Sequence, residues 1–211
     1  MADKGSVLVT GGAGYIGSHT VRSLREAGRD VVVLDSLELG RREAVIDAPL
    51  VVGNINDNDL VTATCNEYGV TQLVHFAAYK AVGESMEAPA KYWRNNVAGT
   101  VELVEACLAS GVHDVVFSSS CSVNGTPATV PVTEDAPIHP ESVYAESKAM
   151  VEKILSWYGI TTASTRSACA TSMPQAPAST ADRRGLDLQL QPYSARDEGC
   201  APRRLSAQGV R

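Results

Sequence analysis

Five short stretches of the chain are apolar at consecutive positions: 6–10 (SVLVT), 31–35 (VVVLD), 50–53 (LVVG), 73–76 (LVHF) and 115–118 (VVFS). Valine-rich runs without polar alternation are the pattern of strands covered on both faces of a sheet. The segments between them repeat their apolar positions at helical spacing instead, with Ile16, Val21 and Leu24 in 16–27, and Val97, Val101, Leu103, Val104 and Leu108 in 97–108. Strand and helix alternating in units of roughly 30 residues predict an α/β fold, a doubly wound parallel sheet of Rossmann type. Its ligand crevice is expected at the carboxyl ends of the strands.

The pattern stops near residue 162. Residues 1–162 hold 24 valines and residues 163–211 hold one, and the second segment has no Ile, Phe, Trp or Lys. The chain therefore divides into an α/β domain over 1–162 and an irregular, disordered tail over 163–211 that cannot supply strands. The sheet is expected to be incomplete on its carboxyl-terminal side.

Charge and composition narrow the partners. With 18 Lys and Arg against 24 Asp and Glu the formal charge is -6 and the pI about 5.2, which argues against nucleic acid or an anionic membrane. No apolar run reaches the roughly 18 residues of a transmembrane helix, and the amino terminus lacks the apolar core of a signal peptide, so a cytoplasmic protein is expected. The cysteines and histidines show no metal-ligand spacing, and no metal is expected. The histidines read as structural, and Cys121 as a packed small residue rather than a nucleophile.

The sharpest local signal follows the first strand. Gly11, Gly14 and Gly17 satisfy GxxGxxG, and Gly12, Gly14 and Gly17 satisfy GxGxxG, in the sequence TGGAGYIG. Glycines let backbone approach a ligand closely, and the helix that starts here offers free N–H groups and a positive dipole end to a pyrophosphate. Tyr15 and Ile16 belong to the same turn. Asp35 closes the second strand 18 residues beyond Gly17, where a carboxylate would accept hydrogen bonds from the adenosine ribose hydroxyls. Its charge repels a 2'-phosphate and favours NAD over NADP.

Tyr144 and Lys148 form YxxxK, which on a helix puts both side chains on one face. An ammonium beside a phenol is expected to lower its pKa and make it a usable proton acceptor. Ser118-Ser119-Ser120 ends the fifth strand at the same sheet edge, where a serine can hydrogen-bond the oxygen that Tyr144 deprotonates.

These residues in this order resemble the extended short-chain dehydrogenase/reductases, and within them the UDP-glucose 4-epimerase family. TGGAGYIGSHT, HFAAYKAVGES, NNVAGT, SSSCSVNG and YAESK carry the likeness over about residues 5–160. The resemblance implies that Phe76, Ala77, Ala78 and Lys80 line the dinucleotide, that Asn54 and Ile55 lie at its adenine end and Asn95 near the nicotinamide. It implies Ser120, Tyr144 and Lys148 as the catalytic residues, Lys148 also binding the nicotinamide ribose. The implied reaction interconverts UDP-glucose and UDP-galactose through a 4-keto sugar, with NAD regenerated in each cycle. A homodimer through helices near 90–110 and 142–158 is implied as well. A nucleotide-sugar 4,6-dehydratase would carry Thr-Asp-Glu where this chain has Ser120-Cys121-Ser122. A non-catalytic NAD-binding fragment is the reading from another class.

The chain departs from the family pattern in three places. Asn54 replaces an aspartate whose carboxylate accepts from the adenine amino group, and weaker binding is expected. Asn124 replaces the tyrosine of a VYG turn, and disturbed packing is expected there. The later LRYFN strand and the substrate-binding region are absent, and the tail offers a cause. A DNA string that reads LRYFNAAGA in one frame, CTGCGCTACTTCAATGCCGCAGGCGCC, reads CATSMPQA one base later, which is Cys169 to Ala176 of this chain. A frameshift near 163–166 is the expectation that follows.

Overall fold

In the computed structural model, which describes residues 5–127, 129–133, 135–161 and 166–169, six strands pair in parallel. They are β1 (Ser6–Thr10), β2 (Asp30–Asp35), β3 (Leu50–Val52), β4 (Val70–His75), β5 (Asp114–Ser118) and β6 (Arg166–Cys169). Their spatial order is β3-β2-β1-β4-β5-β6. The order reverses between β1 and β4, and a doubly wound sheet opens its crevice at that point.

Consecutive apolar residues form β1 and β2 because both faces are covered there, whereas in β5 Val115 and Phe117 are buried and Val116 between them is exposed, as is Val52 of β3, so the expected burial on both faces is corrected for those two strands. Leu8 pairs in register with Val32 and Leu73, and this side packs on Val61 and Cys65 of α2 (Asn58–Glu67) and on Leu103 and Cys107 of α5 (Gly99–Ala109). Val7, Val9, Val31 and Val33 face the other way and bury Val21 of α1 (Tyr15–Glu26). Burying each such side chain is worth about 1.5–3 kcal/mol, so neither face tolerates a polar substitution.

β4 begins three residues before the predicted run, because its first turn alternates buried Val70 with exposed Thr71 and hides its strand character in polar residues. Similarly, α5 starts at Gly99, preceded by a turn of π-helix over Trp93–Ala98. Between β4 and that turn lie the short helices α3 (Val82–Glu87) and α4 (Pro89–Tyr92).

α6 (Val143–Thr161) crosses back from the end of β5 and leads to β6. Its Val151 and Leu155 are buried against Phe117 of β5 and Val104 of α5, and the Tyr158 hydroxyl donates to Glu105. β6 corrects the expectation that nothing beyond residue 162 supplies a strand. β5 presents an edge of N–H and C=O groups that need partners, and a chain returning from α6 in the parallel direction satisfies them by main chain alone, whatever its side chains. The expected disorder of the remaining tail lies outside the described residues.

Candidate active site

A crevice of about 900 Å³ opens along the carboxyl ends of β2, β1, β4 and β5. Every predicted site residue lines it, which brings together Gly11, Asp35, Asn54, Phe76, Asn95, Ser120, Tyr144 and Lys148 from seven separate segments.

The glycine turn is built by backbone proximity. Gly11 has φ +72, and a Cβ there would lie 2.7 Å from the Ala77 nitrogen; on Gly17 it would lie 2.2 Å from the Gly11 carbonyl oxygen. α1 therefore starts directly against the turn. No side chain caps its amino end and its first turn carries no acidic residue, so its leading N–H groups, with Tyr15 and Ile16, face the crevice available to an anion.

Asp35 is buried at the end of β2. Its Oδ2 accepts from the Ala13 amide at 2.9 Å and its Oδ1 from the Leu37 amide at 2.8 Å. Each oxygen keeps a lone pair for a ribose hydroxyl. Gly40 is a residue that sequence reasoning missed. A Cβ there would meet Ala13 Cβ and Asp35 Oδ1, both at 2.8 Å, so glycine is what lets the loop after β2 close down on the carboxylate. Asn54 accepts weakly from the Asn56 amide, at 3.4 Å. Ile55 is buried beside it, Lys80 is exposed, and Phe76 packs on the Val9 cluster while also lining the crevice.

At the other end, α6 aims the chemistry. Tyr144, Lys148, Val151 and Leu155 share one helix face, and the burial of the last two on Phe117 turns the first two toward the end of β5. Ser142 caps the helix by accepting from the Ala145 amide at 3.1 Å. The Tyr144 amide donates to Ser85 Oγ at 3.2 Å, and its carbonyl accepts from Ser147 Oγ at 2.6 Å. Lys148 is buried. Its Nζ donates to the Ser118 carbonyl at 2.9 Å and lies 4.6 Å from the centre of the Phe117 ring. Burial brings its pKa down to about 8.

The expected lowering of the Tyr144 pKa is corrected. Burial raises it, and the Ser120 hydroxyl facing the phenol opposes the rise. Desolvation of the phenolate wins here because Lys148 directs its ammonium at Ser118 and Phe117. Cys121 is corrected too: it opens the one-turn 3-10 helix Cys121–Asn124 at the end of β5 and is exposed on the crevice wall. Asn124 causes no disturbance, since its amide donates to the Ala136 and Pro137 carbonyls at 3.3 and 3.1 Å and pins that turn to the segment before α6.

A second missed residue sits beside Asn95, whose Nδ2 donates to Asn96 Oδ1 at 2.9 Å. Asn96 Oδ1 also accepts from the Tyr79 amide at 2.9 Å, while its Nδ2 donates to the Tyr79 carbonyl at 2.9 Å and to Ser147 Oγ at 3.2 Å. With all its capacity used, this buried amide ties the wall after β4 to the helix that carries Tyr144. The adjacent asparagines of NNV were the available signal. Buried His75 is structural as expected, bonded to Thr10 Oγ1 at 2.7 Å and Thr100 Oγ1 at 2.9 Å.

Strand order, glycine turn and a carboxylate at the end of β2 define a dinucleotide-binding α/β protein. The chain belongs to the NAD dependent epimerase/dehydratase family, whose profile matches residues 7–171. It is 47% identical over 152 residues to a UDP-glucose 4-epimerase of Lactobacillus helveticus, an alignment covering 72% of this chain and 46% of that protein. Among solved structures, a UDP-glucose 4-epimerase from Brucella ovis in complex with NAD superposes with a TM-score of 0.76 at 40% identity, covering 78% of this chain and 50% of the other. A dTDP-glucose 4,6-dehydratase from Streptomyces venezuelae, with NAD bound, superposes with a TM-score of 0.72 at 35% identity over 77% and 54%. The chain spans about half the length of the curated relatives it matches. Among the described residues no helix is long and apolar enough to cross a membrane.

Proposed function

We propose that this chain holds NAD in the crevice and forms the cofactor-binding and proton-transfer half of a UDP-glucose 4-epimerase, acting on a UDP-sugar. The observation that carries the reading is the meeting of Ser120, Tyr144 and Lys148 with the glycine turn and Asp35 in one cavity.

The residues present fit the dinucleotide. The uncapped start of α1 over a turn that admits no Cβ at Gly11 or Gly17 suits a pyrophosphate, and Asp35 suits an unphosphorylated ribose. Phe76, Ala77, Ala78 and Lys80 form one wall, with Asn54 and Ile55 toward the adenine and Asn95 toward the nicotinamide. When bound, NAD would supply reversible hydride-transfer chemistry at the sugar C4.

Tyr144 takes the proton from the 4'-hydroxyl and gives it back, while Ser120 hydrogen-bonds the same oxygen and keeps the phenol oriented. Lys148, fixed by the Ser118 carbonyl, supplies positive charge near the phenol and a donor for the nicotinamide ribose. Burial raises the Tyr144 pKa, so this reading requires that the Lys148 charge face the phenol once the site is occupied. Among the alternatives, elimination of water by a dehydratase would need an acid and a base at the end of β5. Ser120-Cys121-Ser122 places hydroxyls and a thiol there instead, which favours epimerisation.

Titration of the chain with NAD by calorimetry, beside an assay of UDP-galactose conversion, tests the reading. Saturable NAD binding that Asp35→Ala abolishes supports it, and no binding by the parent chain sinks it. Binding without conversion assigns the chain to the non-catalytic class.

A further inference from the structure

Glu38 lies three residues beyond the end of β2, and Tyr79 lies four residues beyond the end of β4. These strands flank β1 on opposite sides, so the two loops stand on either side of the glycine turn. Both residues line the crevice, and the Tyr79 hydroxyl donates to Glu38 Oε2 at 2.5 Å. The bond therefore bridges the crevice from one wall to the other. Lys91 reinforces it, with Nζ 4.0 Å from the centre of the Tyr79 ring, 2.8 Å from Glu84 Oε1 and 3.9 Å from Glu38 Oε1.

The two ends of the bridge are anchored unequally. Tyr79 is fastened at both its amide and its carbonyl by the buried side chain of Asn96. Glu38 belongs to a loop in which Leu37 adopts φ 59, the left-handed region that a residue with a Cβ rarely enters, and Leu39 is 71% exposed. The Leu37 amide is held there by Asp35 Oδ1. The loop 36–40 is therefore the end expected to move when the tyrosine lets go.

We propose that the Glu38–Tyr79 bond is a strap over the dinucleotide crevice, which must open for the dinucleotide to enter or leave and so sets the exchange rate. The inference rests on the NAD reading above and assigns the strap to residues that take no part in the chemistry. A strap already closed in the free protein slows entry and exit alike, whereas a contact made only with the bound ligand slows exit alone.

Stopped-flow association of NADH, followed by its release into excess NAD, separates these cases in the full chain and in Tyr79→Phe. The substitution keeps the ring beneath Lys91 and removes only the hydroxyl. A hydrogen bond to a charged acceptor is worth roughly tenfold or more in an equilibrium. Both rate constants are expected to rise by about that factor while Kd changes less than twofold, and Glu38→Gln, with a neutral acceptor, is expected to fall between. In hydrogen exchange without ligand, Tyr79→Phe is expected to speed the amides of 36–40 and to leave the Tyr79 amide protected. Equal rates in parent and Tyr79→Phe, or a rise in release alone, overturn the strap. Failure of the parent to bind NADH or NAD overturns the cofactor reading and the gate with it, and is seen separately in the same traces.

Discussion

His75 sits where a charge cannot be solvated, and its cost is measurable. The ring is 2% exposed, between Thr10 of β1 and Thr100 of α5, with Phe117 at 5.7 Å between ring centres. The Thr100 hydroxyl donates to the Asn96 carbonyl at 2.7 Å, so toward the histidine it can only accept. Hence Nε2 carries the proton, and Nδ1 accepts from Thr10. Burial, helped by the nearby charge of Lys148, lowers the pKa from 6.5 to about 3. The neutral form is therefore bound to the fold. The corresponding stability is complete above the unfolded value of 6.5 and drains away as the pH falls toward 3.

At pH 5.5 the unfolded histidine is protonated about ten to one, and the folded one is not, which costs about 1.4 kcal/mol relative to pH 7.5. That figure requires only that the folded pKa lie well below 5.5. Urea unfolding at the two pH values, in the parent and in His75→Gln, isolates the term, because the other histidines contribute equally to both proteins. The parent is expected to lose about 1.4 kcal/mol more than the variant over this interval. Nitrogen-detected NMR of the parent gives an independent reading: Nε2–H with Nδ1 bare, unchanged from pH 7.5 to 5. Equal losses in the two proteins, or a ring that titrates in that range, refute the reasoning.

Gly17→Ala is expected to destabilise the chain by about 1–3 kcal/mol and to weaken NAD binding, since the new Cβ meets Gly11 and Gly12 main chain at 2.2 and 2.8 Å. Gly83→Ala in α3, where nothing lies within 4 Å, is the control and is expected to stabilise by roughly 0.5–1 kcal/mol; urea midpoints and calorimetry decide both. For the tail, coding DNA from the Tyr158 codon onward is expected to read on through LRYFN in a second frame, and three-frame translation without such a continuation overturns the frameshift.

Features that depend on sequence-local rules were legible before the structure. The apolar runs mark five strands, although only β1 and β2 are buried nearly throughout. The glycine turn and Asp35 follow from what a pyrophosphate and a ribose ask of a strand end. YxxxK declares its own geometry, as residues four apart must share a helix face. What stayed hidden depends on residues distant in the chain. Gly40 reads as an ordinary loop glycine until Asp35 is seen 2.8 Å from its missing Cβ. The tautomer of His75 is fixed by Thr10, Thr100 and the Asn96 carbonyl together, and its neutral state by its burial near Lys148.

β6 was hidden for the opposite reason. Its residues carry no strand preference, and the edge of β5 recruits them through the main chain. The same distinction separates the two asparagines. Asn95 was expected from the NNVAGT motif, and the structure puts it on the crevice wall. Asn96 is spent inside the protein, where its single amide fixes Tyr79 and, through Ser147, the backbone of Tyr144. The crevice wall after β4 and the helix that carries Tyr144 are thus positioned by one buried side chain. A substitution at Asn96 would loosen Tyr79 and Tyr144 at once, although its side chain touches neither phenol.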